Sequence, residues 1–204
     1  ECYGSNSIVV GENATSENAM NTVVLGKDTL AKGQSTIAIG QDCQSGWGWG
    51  ITGSVAIGKG SVAGASFSVA IGNANIATTQ GAIAIGDHSE SGGAYSVTIG
   101  SYINTSAPYS IAIGNSLTAS EDYAIAMGSN SVASGLSSIA FGQSTLASGR
   151  LSRSMGEDTI ASGLRSKADG FSSKALGKFS RADGNRAYAD KRGQRAWQTT
   201  FITG

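Results

Sequence analysis

Residues 110–114 read SIAIG, and the phrase returns as TIAIG at 36, SVAIG at 54 and 68, and AIAIG at 82. The glycines closing this phrase and its looser variants stand at 11, 26, 40, 58, 72, 86, 100, 114, 128, 142, 156, 170 and 184. From Gly58 to Gly184 every step is 14 residues. The step from Gly11 to Gly26 is one position longer, and the step from Gly40 to Gly58 is four positions longer. A unit this short cannot bury its own apolar face, so a strict repeat of it confines the chain to a stack of coils. A second glycine series at 135, 149, 163 and 177 halves the later units. Each unit is therefore read as two half-coils, a short strand and a turn apiece.

Val55-Ala56-Ile57 and Ile111-Ala112-Ile113 alternate large and small residues, the period-two signature of a strand. The glycine after them suits a turn with positive φ. SVASG (131–135) and TLASG (145–149) supply the second strand of the coil. Coils stacked at strand spacing, about 4.8 Å, would make about thirteen turns and a rod on the order of 60 Å long. The bulky Ile/Val column reads as the inward one. Ala38, Ala56, Ala70, Ala84, Ala112, Ala126 and Ala140 lie on the opposite face. A strip of small apolar residues suits close packing against another copy, so these seven are candidate packing residues of a homo-oligomer.

Composition removes several alternatives. Thirty glycines without a G-x-y period are not collagen, and 40% apolar residues are too many for a disordered chain. No apolar run approaches the roughly 20 residues that cross a membrane. The net charge of zero hides an asymmetry: residues 1–149 hold three basic and nine acidic side chains, residues 150–204 eleven and five. The basic residues follow the repeat instead of clustering, and no nucleic-acid motif accompanies them, so no nucleic-acid partner is expected. Cys2 and Cys43 have neither a disulfide framework nor metal-ligand spacing, so neither metal nor cofactor is expected. The chain opens ECYGS rather than with Met, as a processed or excised piece would.

Chemistry is scarce. His88, in GDHSES, is the lone histidine; its sequence neighbour Asp87 would point elsewhere in a strand or turn, so a catalytic pairing is not expected. No nucleophile elbow, phosphate loop or metal-ligand spacing occurs, and the chain reads as a non-enzyme. Regular Thr-x-Thr ladders are absent too, since TASED and NTSAP fill equivalent turns, which argues against an ice-binding face. Binding candidates are aromatic. Trp47 and Trp49 sit in the glycine-rich interruption QDCQSGWGWGITG (41–53), where a projecting loop on a rigid scaffold could stack on a sugar or simply fold back. Tyr95, Tyr109 and Tyr123, with Phe67 before them and Gly81 breaking the series, each stand five positions before an anchor glycine. They form either a stabilising ladder, worth about 0.5–1.5 kcal/mol per pair, or a receptor-facing stripe.

The bulky column also changes character, from Ile139/Phe141 to Arg153/Met155, Lys167/Asp169 and Arg181/Asp183. Opposite charges on one face could form a ring of ion pairs that fixes register, or the column is wet. The chain accordingly divides into an apolar roll at 1–149, a charged continuation at 150–184 and a junction to a further domain or anchor at 185–204.

The phrase SVAIGKGSVA (54–63) and its relatives over residues 7–184 resemble the head repeats of the YadA-like trimeric autotransporter adhesins. That resemblance implies a left-handed parallel β-roll, a homotrimeric rod around a threefold axis, and exposure at a surface. Adhesin heads of this family usually run into a neck and coiled-coil stalk and avoid cysteine. Residues 186–204 show no heptads or neck phrase, and Cys2 and Cys43 are present. SRADGNRAYADKRGQRA (180–196) is similar instead to the ends of repeat regions in phage tail fibres. The expectation is a structural, receptor-binding segment of a phage tail fibre or similar virion fibre, with other fibre or tail proteins and a host cell-surface glycan or protein as partners. The alternative is the head of a bacterial surface adhesin that binds host matrix or other cells.

Overall fold

Alternating side chains drive each SVAIG-type phrase into extended backbone. The computed structural model describes residues 5–17, 19–48 and 50–198, and most of these phrases form five-residue strands such as Val55–Lys59. Two-residue strands such as Val62–Ala63 come between them, and no helix occurs among the described residues. The chain makes about fourteen turns, in two units, Glu1–Pro108 and Tyr109–Gly204.

In the first unit the long strands from Ile8–Val10 to Val97–Ser101 make one parallel sheet. The short strands from Thr15–Glu17 to Asn104–Thr105 make another. The second unit repeats this from Ile111–Asn115 to Arg195–Gln198 and from Thr118–Ala119 to Tyr188–Ala189. Pairing follows the repeat: Val55 lies opposite Val69, and Val69 opposite Ile83. The longest step keeps this register, with Ile37 opposite Val55 and Gly40 opposite Gly58, so its extra residues leave the coil as a loop. Winding also continues past Gly184, where Arg195, Trp197 and Gln198 pair with Arg181, Asp183 and Gly184. Gln198 takes the glycine position, which is why a count of glycines ends one turn early.

The anchor glycines do something other than turn the chain. Gly58 lies inside its strand at φ +124°, facing the Gly72 backbone of the next coil. The left-handed turn positions are filled by other residues, including Phe67 and Tyr123, both at φ +60°.

Between the two sheets of a coil the side chains are mostly small, Val24 being the bulkiest of the inward long-strand column. Ala56 and Ala63 are fully buried there. Each buried methyl contributes on the order of 0.8 kcal/mol, so the interior is stabilised by repetition rather than by any one residue. Where the column turns polar it is satisfied internally: Thr98 and Thr105 share a 2.6 Å hydrogen bond, Ser154 and Thr159 one of 2.8 Å. At one corner, the Ser61 and Ser131 hydroxyls donate to the Gly72 and Gly142 carbonyls at 3.0 and 3.1 Å.

Candidate functional site

The alanine column corrects one expectation directly. Ala38, Ala56, Ala70, Ala84, Ala112, Ala126 and Ala140 are all 0% exposed within a single chain. They face the short-strand sheet of their own coil and cannot touch another copy. The bulky column is correspondingly turned outward. In the first unit Val55/Ile57, Val69/Ile71, Ile83/Ile85 and Val97/Ile99 form a continuous, half-exposed apolar face. The cause is the gap: so short a coil brings its sheets too close for an isoleucine between them. A sheet face of this size is far more than the scattered apolar residues of an ordinary surface.

In the second unit the same outward face begins with Ile111/Ile113, Ile125/Met127 and Ile139/Phe141, then becomes ionic. Arg153, Lys167, Arg181 and Arg195 stand opposite one another in successive strands. The Lys167 ammonium contacts Asp169 and lies 3.7 Å from Asp183, and Arg181 contacts Asp183. Asp169, Arg181, Asp183, Arg195 and Trp197 line a cavity of about 470 Å³ at this end. The charged pairs expected from the sequence are thus brought together, though on the outer face of the coil.

The interruption at 41–53 is pinned at both ends. The Gly46 amide donates to the Ala63 carbonyl at 2.7 Å, the Gln34 amide to Ile51 at 2.8 Å, and the Gly53 amide to Gln34 at 3.0 Å. The Trp47 indole rests on Gly64, where an added Cβ would come within 2.6 Å of the ring. Several later coils place Thr78, Ser120, Ser134 and Ser148 at the position of Gly64, so this coil lacks the side chain that would block the indole. Trp47 stays 52% exposed and lines a cavity of about 340 Å³ with Glu17, Met20, Lys32 and Gln34. Glu17 and Lys32 form an ion pair at 2.9 Å across that wall. Trp49 lies outside the described residues.

Nothing in the sequence singled out Glu17, Met20, Lys32 or Gln34. Glu17 and Lys32 meet because the step from Gly11 to Gly26 sets them at equivalent places in adjacent coils, where their Cα atoms are paired. Aligning the coils on their glycines would have found that pair.

Tyr95, Tyr109 and Tyr123 all occupy left-handed turn positions, about half exposed. Tyr109 and Tyr123 stack with ring centres 5.2 Å apart and planes 5° from parallel. His88 stacks on Tyr102 at 5.5 Å, and its Nδ1 lies 3.0 Å from an Asp87 carboxylate oxygen, so the two neighbours do meet across their turn. The Asp87 carboxyl is held below the ordinary carboxylate value, chiefly by the Asn73 amide donating at 2.7 Å and then by His88. The pair lies on a turn, with both side chains about half exposed. Cys43 takes the corner position of Ser61, donating to the Gly58 carbonyl at 3.2 Å, and burial pushes its thiol pKa up.

The family model of the YadA head domain repeat matches residues 52–75, 119–145 and 133–150. With the parallel two-sheet coils, that decides the repeat type. The chain carries YadA-like head repeats. The YadA head repeat is a structural, adhesin-type module displayed at surfaces, not a known enzyme family. The matched segments all fall where the outward face is apolar, and the ionic turns from Arg153 onward lie beyond them. A search of curated proteins gave no match.

Proposed function

We propose that the chain is a structural and receptor-binding segment of a homotrimeric surface fibre, in which the outward Ile/Val face is covered by two sister copies. The observation that carries this reading is that face itself. It runs through seven successive long strands of the first unit, and none of the described residues covers it. A threefold bundle buries such a face three times with one set of contacts, and the repeat's adhesin-type relatives support that arrangement. The buried small-residue interior makes each unit a rigid spacer, and the loops and turns that project from it are where a host surface would be met.

A tail fibre or similar virion fibre is the reading favoured by the SRADGNRAYADKRGQRA stretch and by a free, buried Cys43. The alternative, a bacterial adhesin head, is favoured by the YadA match. Light scattering on the folded chain tests the assembly, with three times the 20.5 kDa chain mass as the expected result and a monomer mass as the refuting one. Fluorescently labelled chain presented to bacterial cells and to immobilised matrix proteins separates the two hosts. A virion fibre should mark bacteria, and an adhesin head should mark the matrix.

A further inference from the structure

We propose that the cavity beside Trp47 is a binding site for a neutral pyranose sugar of a surface glycan. The inference rests on the attachment reading above and gives it a location and a ligand class.

The first argument is shape and composition. The indole rests on Gly64 yet stays 52% exposed, and Met20, which is 46% exposed, lines the same cavity. Glu17, Lys32 and Gln34 line it as well. The site therefore combines flat apolar surface with donors and acceptors. A pyranose has that combination, with axial C–H groups on a ring face and hydroxyls around its edge. A cavity of about 340 Å³ lies at the small end of ligand sites, suited to one or two sugar rings.

The second argument is charge. Glu17 and Lys32 are 2.9 Å apart and neutralise each other, so the pair attracts neither an anion nor a cation. A carboxylate and an ammonium side by side still offer an acceptor and a donor to adjacent hydroxyls, which a neutral polyol uses best. The third argument is preorganisation. The loop is hydrogen-bonded to the coil before it and the coil after it, and Gly46 fits against the Lys32 carbonyl at a distance no Cβ would allow. A platform fixed in this way loses little freedom on binding. Such a site is weak alone and gains strength from several copies in one fibre.

The test is retention of the full chain on a printed array of neutral hexose- and N-acetylhexosamine-terminated oligosaccharides, with sialylated and sulfated ones beside them. Retention on neutral sugars is expected. Trp47→Ala and Glu17→Gln should each reduce it by about tenfold, and Gly64→Ser, which pushes the indole from its seat, should do the same. Glu17→Gln keeps the shape of a surface side chain, so it decides the matter if Trp47→Ala does not fold. Retention only on acidic sugars, no retention, or neutral retention untouched by these variants overturns the site. Binding to whole host cells is measured in parallel. If Trp47→Ala and Glu17→Gln both leave cell binding intact, the pocket proposal fails and the attachment reading stands; if the unaltered chain binds no cells, the attachment reading itself fails.

Discussion

A Cβ on Gly58 would lie 1.9 Å from the carbonyl oxygen of Gly72, one coil further along. Both groups are backbone, so no rotamer change relieves the collision, and φ of +124° is a region that side chains other than glycine scarcely enter. Gly58→Ala should therefore lower stability by about 3 kcal/mol or more. Gly60→Ala is the control: at φ +60° with open space around its Cβ, it should cost about 1 kcal/mol. Urea midpoints of the two variants check the difference, and equal losses would refute the close-approach argument.

The inversion of the two faces gives a second prediction. Ala70 is fully buried between sheets, whereas Ile71 beside it faces outward. Ala70→Leu should destabilise the fold by about 3 kcal/mol through overpacking. Ile71→Lys with Ile85→Lys should leave circular dichroism and single-chain folding intact yet reduce the scattering mass to that of a monomer. Should the lysine pair leave the mass unchanged, sister copies do not meet on this face.

This inversion shows where the sequence was legible and where it was not. Alternation at Val55-Ala56-Ile57 states that there are two faces, and the period states how coils stack, because both are local properties of the chain. Which face goes inside depends on the gap between sheets, a length that emerges only when two strands and two turns close within a single repeat. The aromatic column was legible from its spacing, but its left-handed backbone was not, for a related reason. Tyr109 and Tyr123 sit in the left-handed region usually given to glycine or asparagine, held there by the coils on either side. The cavity residues Glu17 and Lys32 each stand six positions after an anchor glycine and pair across adjacent coils, a match that shows only when the coils are aligned on those glycines.

Cys43 occupies a serine corner, and Cys43→Ser should be close to neutral, within about 0.5 kcal/mol. The hydroxyl can donate to the Gly58 carbonyl as Ser61 donates to Gly72. The same corner accepts buried Ile103 and Leu117, so it tolerates changes of polarity. Thermal melting of the variant checks this, and a large loss would mean that the thiol has a role beyond filling the corner.

Asp87 supplies a pH dependence. Its folded-state pKa lies below the ordinary 3.8, with the Asn73 amide as the largest cause. A depressed carboxyl contributes stability that is present above 3.8 and disappears as pH falls through the lower folded value. The effect is small because the group is exposed. Asn73→Ala should raise the Asp87 titration midpoint toward 3.8, as read from its carboxyl chemical shift. A midpoint that stays put would assign the depression to His88 instead.

The ionic turns allow a last test of what covers the outward face. Asp183 serves both Arg181 and Lys167, and Asp169 serves Lys167. On a wet surface these pairs are worth at most about 1 kcal/mol and are screened by salt. Between sister chains they would lie in low dielectric, where removing one partner strands a cation at a cost of about 3–5 kcal/mol that salt cannot reach. Asp169→Asn with Asp183→Asn should therefore lower the melting temperature by a similar margin at low salt and at about 1 M salt, where the screening length is only about 3 Å. The trimer reading requires that persistence. A loss that vanishes in salt would mean that these turns stand in water and that the bundle opens before it reaches them.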